Sequence, residues 1–178
     1  MSAANTEEIF AMYQGLLGAG RVHWAEPLPF TGRPGHHYFV RDADRRRFRQ
    51  PARRASIMAR ISARTGAEAG LMRINQTYIV FVGSRAAATI QPTFLARDTE
   101  SGIEAFEWIA HTHPLQLRDR YQDIAHGATE SDRRVLAAVY ACWGQDRSEV
   151  IVTRGTHVVA INAFQLTPDE RTGQCRAE

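Results

Sequence analysis

At 178 residues, with 44% of them hydrophobic, 23% charged and a formal net charge of +3, the chain can bury one sizeable core and is too apolar for disorder throughout. No run of about 18 apolar residues occurs, and the start of the chain is neither basic nor apolar. No membrane span or signal peptide is expected, and a cytoplasmic location follows.

All 22 basic residues are arginine. A coding bias would produce this. So would a life beside enzymes that modify lysine amines, since arginine keeps the charge without offering a nucleophilic amine. From Thr6 to Leu17, Ile9, Phe10, Tyr13, Leu16 and Leu17 fall at helical spacing, with Thr6 as cap and Gly18 and Gly20 as stop, which predicts a short docking helix. Arg21 to Gly35, rich in proline and glycine, reads as loop, and His36-His37-Tyr38-Phe39-Val40 as an extended segment. Adjacent residues of a strand point to opposite faces, so His36 and His37 are expected to pack or face solvent rather than share an ion. Arg41 to Arg54 is arginine-dense, but Asp42 and Asp44 interrupt the charge and no aromatic platform accompanies it. It reads as a solvated face, and nucleic acid is not an expected partner. Residues 1–50 are therefore taken as an extension packed on a core domain of residues 51–166, with a polar, mobile tail over 167–178.

Within the core domain, Ala52 to Ala67 predicts a helix with Ile57, Met58 and Ile61 on one side, followed by Glu68-Ala69-Gly70-Leu71. Tyr78 to Val82 is strongly β-prone, with Ala87 to Phe94 as its expected neighbour. Phe106 to Ala110 has the character of a buried strand and runs into His111-Thr112-His113-Pro114. Leu115 to Gly127 is too polar for core. Asp132 then opens the apolar run Val135 to Tyr140 of a helix stopping at Gly144, and Val150 to Ile161 reads as a hairpin. Cys142 lies in the helical pattern and makes no metal-type pair with Cys175, so a buried free thiol is expected and disulfide scaffolding is not.

The chemistry gathers at the two histidines. Two apart in a strand, His111 and His113 project the same way and can grip one ion. A catalytic zinc takes three protein ligands and keeps a position for water, so a carboxylate from a neighbouring helix would complete the set. Asp132 is the candidate, with Asp119 and Asp123 as alternatives.

Glu68, His111-Thr112-His113-Pro114 and Thr129-Glu130-Ser131-Asp132, in that order, resemble the JAMM motif of the JAB1/MPN/Mov34 metallopeptidases, over roughly Ser56 to Ala163. The resemblance implies an α/β (α+β) fold of the JAB/MPN, cytidine-deaminase-like kind, with a mixed central sheet flanked by helices. It implies zinc on His111, His113 and Asp132. Glu68 would be the general base, with Glu104 and Glu107 as alternatives, the latter sharing strand parity with His111. A hydroxyl would steady the oxyanion, from Thr129 where the family usually has serine, or from Ser131. The implied substrate is an amide at the C-terminus of a ubiquitin-like or sulfur-carrier protein. A peptidase of a toxin, secretion or phage-tail system and an inactive binding module using the arginine run are the alternatives. The run Pro114 to Ala128 is about eight residues longer than the family's, as a flap over the cleft would be.

Overall fold

A computed structural model of the protein describes residues 2–83, 101–115 and 127–175. Four helices and seven strands make up the described residues: α1 (Thr6–Leu17), β1 (Val22–Trp24), β2 (His37–Phe39), α2 (Arg45–Arg49), α3 (Pro51–Thr65), β3 (Ala69–Ile74), β4 (Thr77–Val82), β5 (Phe106–Pro114), α4 (Glu130–Trp143), β6 (Arg147–Arg154) and β7 (His157–Gln165). The strands form one mixed sheet in the order β1-β2-β4-β3-β5-β6-β7, parallel between β1 and β2 and between β5 and β6, and antiparallel elsewhere. None of the described helices is long and apolar enough to cross a membrane.

The sheet is apolar on both faces, and each face has its own helices. On one, Ile9 and Tyr13 of α1 and Leu136 and Val139 of α4 pack on Phe39, Met72, Phe81, Trp108 and Val150. On the other, Phe48 of α2 and Ile57, Met58 and Ile61 of α3 pack on Leu71, Val80, Ala110 and Ile151. Burying side chains of this size stabilises by about 1.5–3 kcal/mol each, and on α4 the partly buried Val135, Ala137, Tyr140 and Trp143 add to the contacts of Leu136 and Val139. The expected helix over 52–67 and the hairpin after residue 150 are both present. The first fifty residues, however, are more than a packed extension. The stretch expected as loop from Arg21 contributes β1, and β1 and β2 both belong to the central sheet. The cap of α1 is Asn5, one residue earlier than expected. Thr6 is buried, with its hydroxyl 2.8 Å from that of Thr77. Ala87 to Phe94 lies outside the described residues.

The cysteine expectation is corrected. Cys142, near the end of α4, is joined to Cys175 in a disulfide. The cause is non-local: the segment after β7 folds back along α4 instead of trailing away. Thr167 caps a helical turn at Pro168–Glu170, Arg133 of α4 holds Glu170 at 2.9 Å, Arg171 holds Asp146 at 2.9 Å, and Gly173 passes against Ala141. Through Cys175 the chain is tied down, and the tail expected to be mobile is a strap on α4.

Parallel strands β5 and β6 require a crossover, and α4 supplies it. The N-terminus of α4 therefore comes to lie near the carboxyl end of β5, the usual place for a site in such a unit.

Candidate metal centre

Alternation along β5 aims His111 and His113 at the α4 face, with side chains almost wholly buried at 1% and 6% exposure. Their Nε2 atoms are 2.9 Å apart. Asp132, in the first turn of α4, brings Oδ1 to 3.0 Å from His111 Nε2 and Oδ2 to 3.5 Å from His113 Nε2. Four ligands around a zinc ion at bond lengths of about 2.0–2.1 Å lie about 3.3 Å from one another, so these separations, which are also those of hydrogen bonds, are compatible with atoms sharing one ion. Among the described residues, this is the group of histidine, cysteine and acidic side chains able to hold a metal.

Local structure explains why each ligand stands where it does. A bulge in β5 puts Ile109 and Ala110 both on the α3 side, because Leu71 pairs with Ala110 while Met72 pairs with Trp108. The extra residue turns Trp108 to the metal face, where it stacks on the His111 ring at a centroid distance of 4.9 Å. The same bulge removes the expected parity between Glu107 and His111. Glu107 instead pairs across the sheet with Arg73, at 2.8 Å. Beside His111, Gly70 leaves the space that the Phe81 ring fills: a Cβ at residue 70 would come within 2.0 Å of Phe81 Cζ.

Asp132 is fixed by a capping box. Thr129 is the N-cap of α4; its hydroxyl accepts from the Asp132 N–H at 3.2 Å and donates to Oδ2 at 2.8 Å, and its own N–H donates to Oδ2 at 2.6 Å. Oδ2 is thus held by the helix end while Oδ1 faces His111. The hydroxyl expected to steady an oxyanion is here engaged with the aspartate, and Ser131 is exposed. His111 Nδ1 has no hydrogen-bond partner among the described residues, so the contacts with Trp108 and Phe164 set the orientation of the ring.

The protonation states suit a cation. Burial pushes the His111 imidazole below its usual value and outweighs the pull of Asp132 in the other direction. Burial alone would raise the Asp132 carboxyl. Hydrogen bonds from His111 and His113, the His111 charge and the Thr129 N–H overcome it and hold the group well below the carboxylate range. A His111 imidazole disfavoured as a cation beside an Asp132 favoured as an anion suits a divalent ion.

Glu68 is not one of the converging ligands. It is half-buried immediately before β3, and its carbonyl accepts from Gly83 N–H at 2.8 Å. Gly70 pairs with His111, so alternation carried back two residues puts Glu68 on the histidine face. Glu104 is exposed in the connection leading to β5, and Asp119 and Asp123 lie outside the described residues. Of the other described histidines, His37 is buried in β2, His36 pairs with His23, and His157 is exposed at the start of β7. No family model, no curated protein and no solved structure matches the chain.

Proposed function

We propose that the protein is a zinc-dependent peptidase of the JAMM type, with a JAB/MPN-like arrangement of sheet and helices. It would hydrolyse an amide at the C-terminus of a ubiquitin-like or sulfur-carrier protein. The observation that carries this reading is the convergence of His111, His113 and Asp132: the two Nε2 atoms are 2.9 Å apart, and the carboxylate reaches His111 Nε2 at 3.0 Å through Oδ1 and His113 Nε2 at 3.5 Å through Oδ2. Zinc held there would act as a Lewis acid and lower the pKa of a bound water towards neutrality. Glu68, on the same face and outside the ligand set, takes the proton of the attacking water and delivers it to the leaving amine. Thr129 keeps Asp132 in its ligating pose through the capping box, and its hydroxyl would support the oxyanion only by giving up its hydrogen bond to Oδ2.

The test is metal analysis of the purified protein followed by incubation with ubiquitin-like and sulfur-carrier fusions. About one zinc per chain and chelator-sensitive cleavage are expected. Glu68→Gln should retain the zinc and abolish turnover. Iron in place of zinc, or full activity in Glu68→Gln, would refute the mechanism.

One observation favours a second setting for the same chemistry. Disulfides persist in oxidising compartments, and Cys142–Cys175 fits a toxin-associated or secreted peptidase better than a cytoplasmic one. Cleavage of cell-wall peptides with no action on modifier fusions would select that setting. The binding-module alternative is weakened by ion pairs that engage the arginine run: Arg45 with Asp42 and Arg47 with Asp44 inside it, and Arg54 with Glu149 of β6.

A further inference from the structure

Between the two histidines stands Thr112, wholly buried and, by the alternation that aims its neighbours at α4, directed to the α3 side. Its hydroxyl accepts from the Ala69 N–H at 2.9 Å and donates to the Ser62 hydroxyl at 3.1 Å. Ser62, also buried, donates in turn to the Ala67 carbonyl at 2.7 Å. The chain of donors thus runs from Ala69 N–H through Thr112 and Ser62 to Ala67 C=O. Its two ends are the peptide groups on either side of one residue, Glu68.

We propose that Thr112 and Ser62 are positioning residues that hold Glu68 at a fixed place relative to the metal ligands. The proposal rests on Glu68 being the base of the zinc centre. The relay passes through Thr112, on the segment that carries both histidines, so a shift of β5 moves the histidines and the Glu68 turn together. The turn is also held by the Glu68 carbonyl, which accepts from Gly83 N–H at 2.8 Å, and by Ala67 N–H, which donates to the Thr65 hydroxyl at 3.3 Å, but of these contacts the relay alone ties it to the histidine strand. Gly66, left-handed at φ 64°, ends α3, and a single residue separates Ala67 from β3. Simple packing does not account for the hydroxyls. Valine fills the volume of threonine in a strand, and alanine would fit at Ser62 in a helix, whereas a buried hydroxyl is costly unless it is paired. Here each hydroxyl gives one hydrogen bond and takes one.

The test uses the full chain loaded with cobalt(II), whose paramagnetism shifts nearby amide resonances according to their position relative to the ion. In Thr112→Val, cobalt should still bind. The shifts at the Glu68 and Ala69 amides should shrink as the turn loosens, and exchange of the Ala69 amide should speed up about tenfold. With zinc, kcat on the fusion substrate should fall on the order of 10²-fold at nearly unchanged KM, as expected for a misplaced base. Thr112→Ser restores all of these values. Ser62→Ala, which cuts only the Ala67 arm, gives a smaller change in the same direction and serves as the test should Thr112→Val not fold.

Unaltered Glu68 shifts in Thr112→Val overturn the proposal, whatever happens to activity. So do altered shifts with unchanged kcat in a chain whose wild type is active. Altered shifts in a chain whose wild type hydrolyses nothing leave the pinning in place and refute the peptidase reading instead. A chain that binds no cobalt loses both.

Discussion

Among the described residues, two pairs of imidazoles come within hydrogen-bonding distance, and they do not do the same thing. His111 and His113 meet at 2.9 Å, and His23 and His36 at 2.8 Å. The first pair is buried and faces a carboxylate. The second is half-exposed, its rings stacked within 5° of parallel. Burial, His23, Arg33 and Arg21 together push the His36 imidazole below its usual value. Arginines repel a cation, and among the described residues no third ligand joins that pair. Close imidazoles are therefore not enough. What distinguishes the candidate centre is one aspartate on another element, held to within 3.0 Å by a helix cap.

The most drastic way to break the contrast is to remove that aspartate. Asp132→Ala should reduce zinc affinity by at least about 10²-fold and abolish hydrolysis, leaving the His111 pair as poor a site as the His23 pair. Metal analysis after gentle desalting reads this directly, and full zinc occupancy would transfer the ligand role to another acid.

A second experiment exploits His37, the immediate neighbour of His36 but buried on the other side of the strand. Burial first, then Arg21 and His36, push its imidazole down to about 4. The unfolded chain takes up this proton near pH 6.5 and the folded chain only near 4. Stability from this group is thus complete above about pH 6.5 and is lost as pH falls, by up to about 3 kcal/mol. Urea denaturation at pH 7.5 and 4.5 measures the loss, and His37→Phe should reduce it. An unchanged pH dependence in that variant would assign the titration to other groups.

The contrast also shows which parts of the molecule were legible in advance. The candidate ligands depend on short-range rules: alternation puts residues 111 and 113 on one face, and the Thr129-x-x-Asp132 cap pattern opens a helix. The elements around them follow from periodicity in the same way, as for α3 and the β6–β7 hairpin. What stayed hidden depends on partners distant in sequence. The bulge at Ile109, which turns Trp108 towards His111 and Glu107 away, exists only in the pairing with β3. The Cys142–Cys175 bond spans 33 residues and needs the strap to fold back. Strand β1 is three residues long and acquires its meaning from β2 beside it. The role argued for Thr112 likewise requires knowing that Ala69 and Ser62 lie beside it.

Thr129 sharpens the distinction between holding the ligand and helping the reaction. Thr129→Val removes the cap acceptor and the bond to Asp132 Oδ2, and should cost about 1 kcal/mol of stability and on the order of tenfold in zinc affinity. Thr129→Ser should behave as wild type. A fall in kcat at unchanged zinc affinity would instead place the hydroxyl on the oxyanion.

The smallest effect is expected at the other histidine pair, and there the comparison is most exposed to failure. His36→Gln keeps a side chain able to hydrogen-bond His23 and removes one imidazole from a half-exposed position, so stability should change by no more than about 0.5 kcal/mol. Zinc stoichiometry should not change at all, because the surrounding arginines disfavour a cation there whether or not the imidazoles are neutral. Calorimetric titration of zinc into wild type and His36→Gln decides the point. If wild type takes up a second equivalent that His36→Gln loses, arginines at this range do not exclude a cation, and the weight placed on Asp132 as the feature separating the two pairs is misplaced.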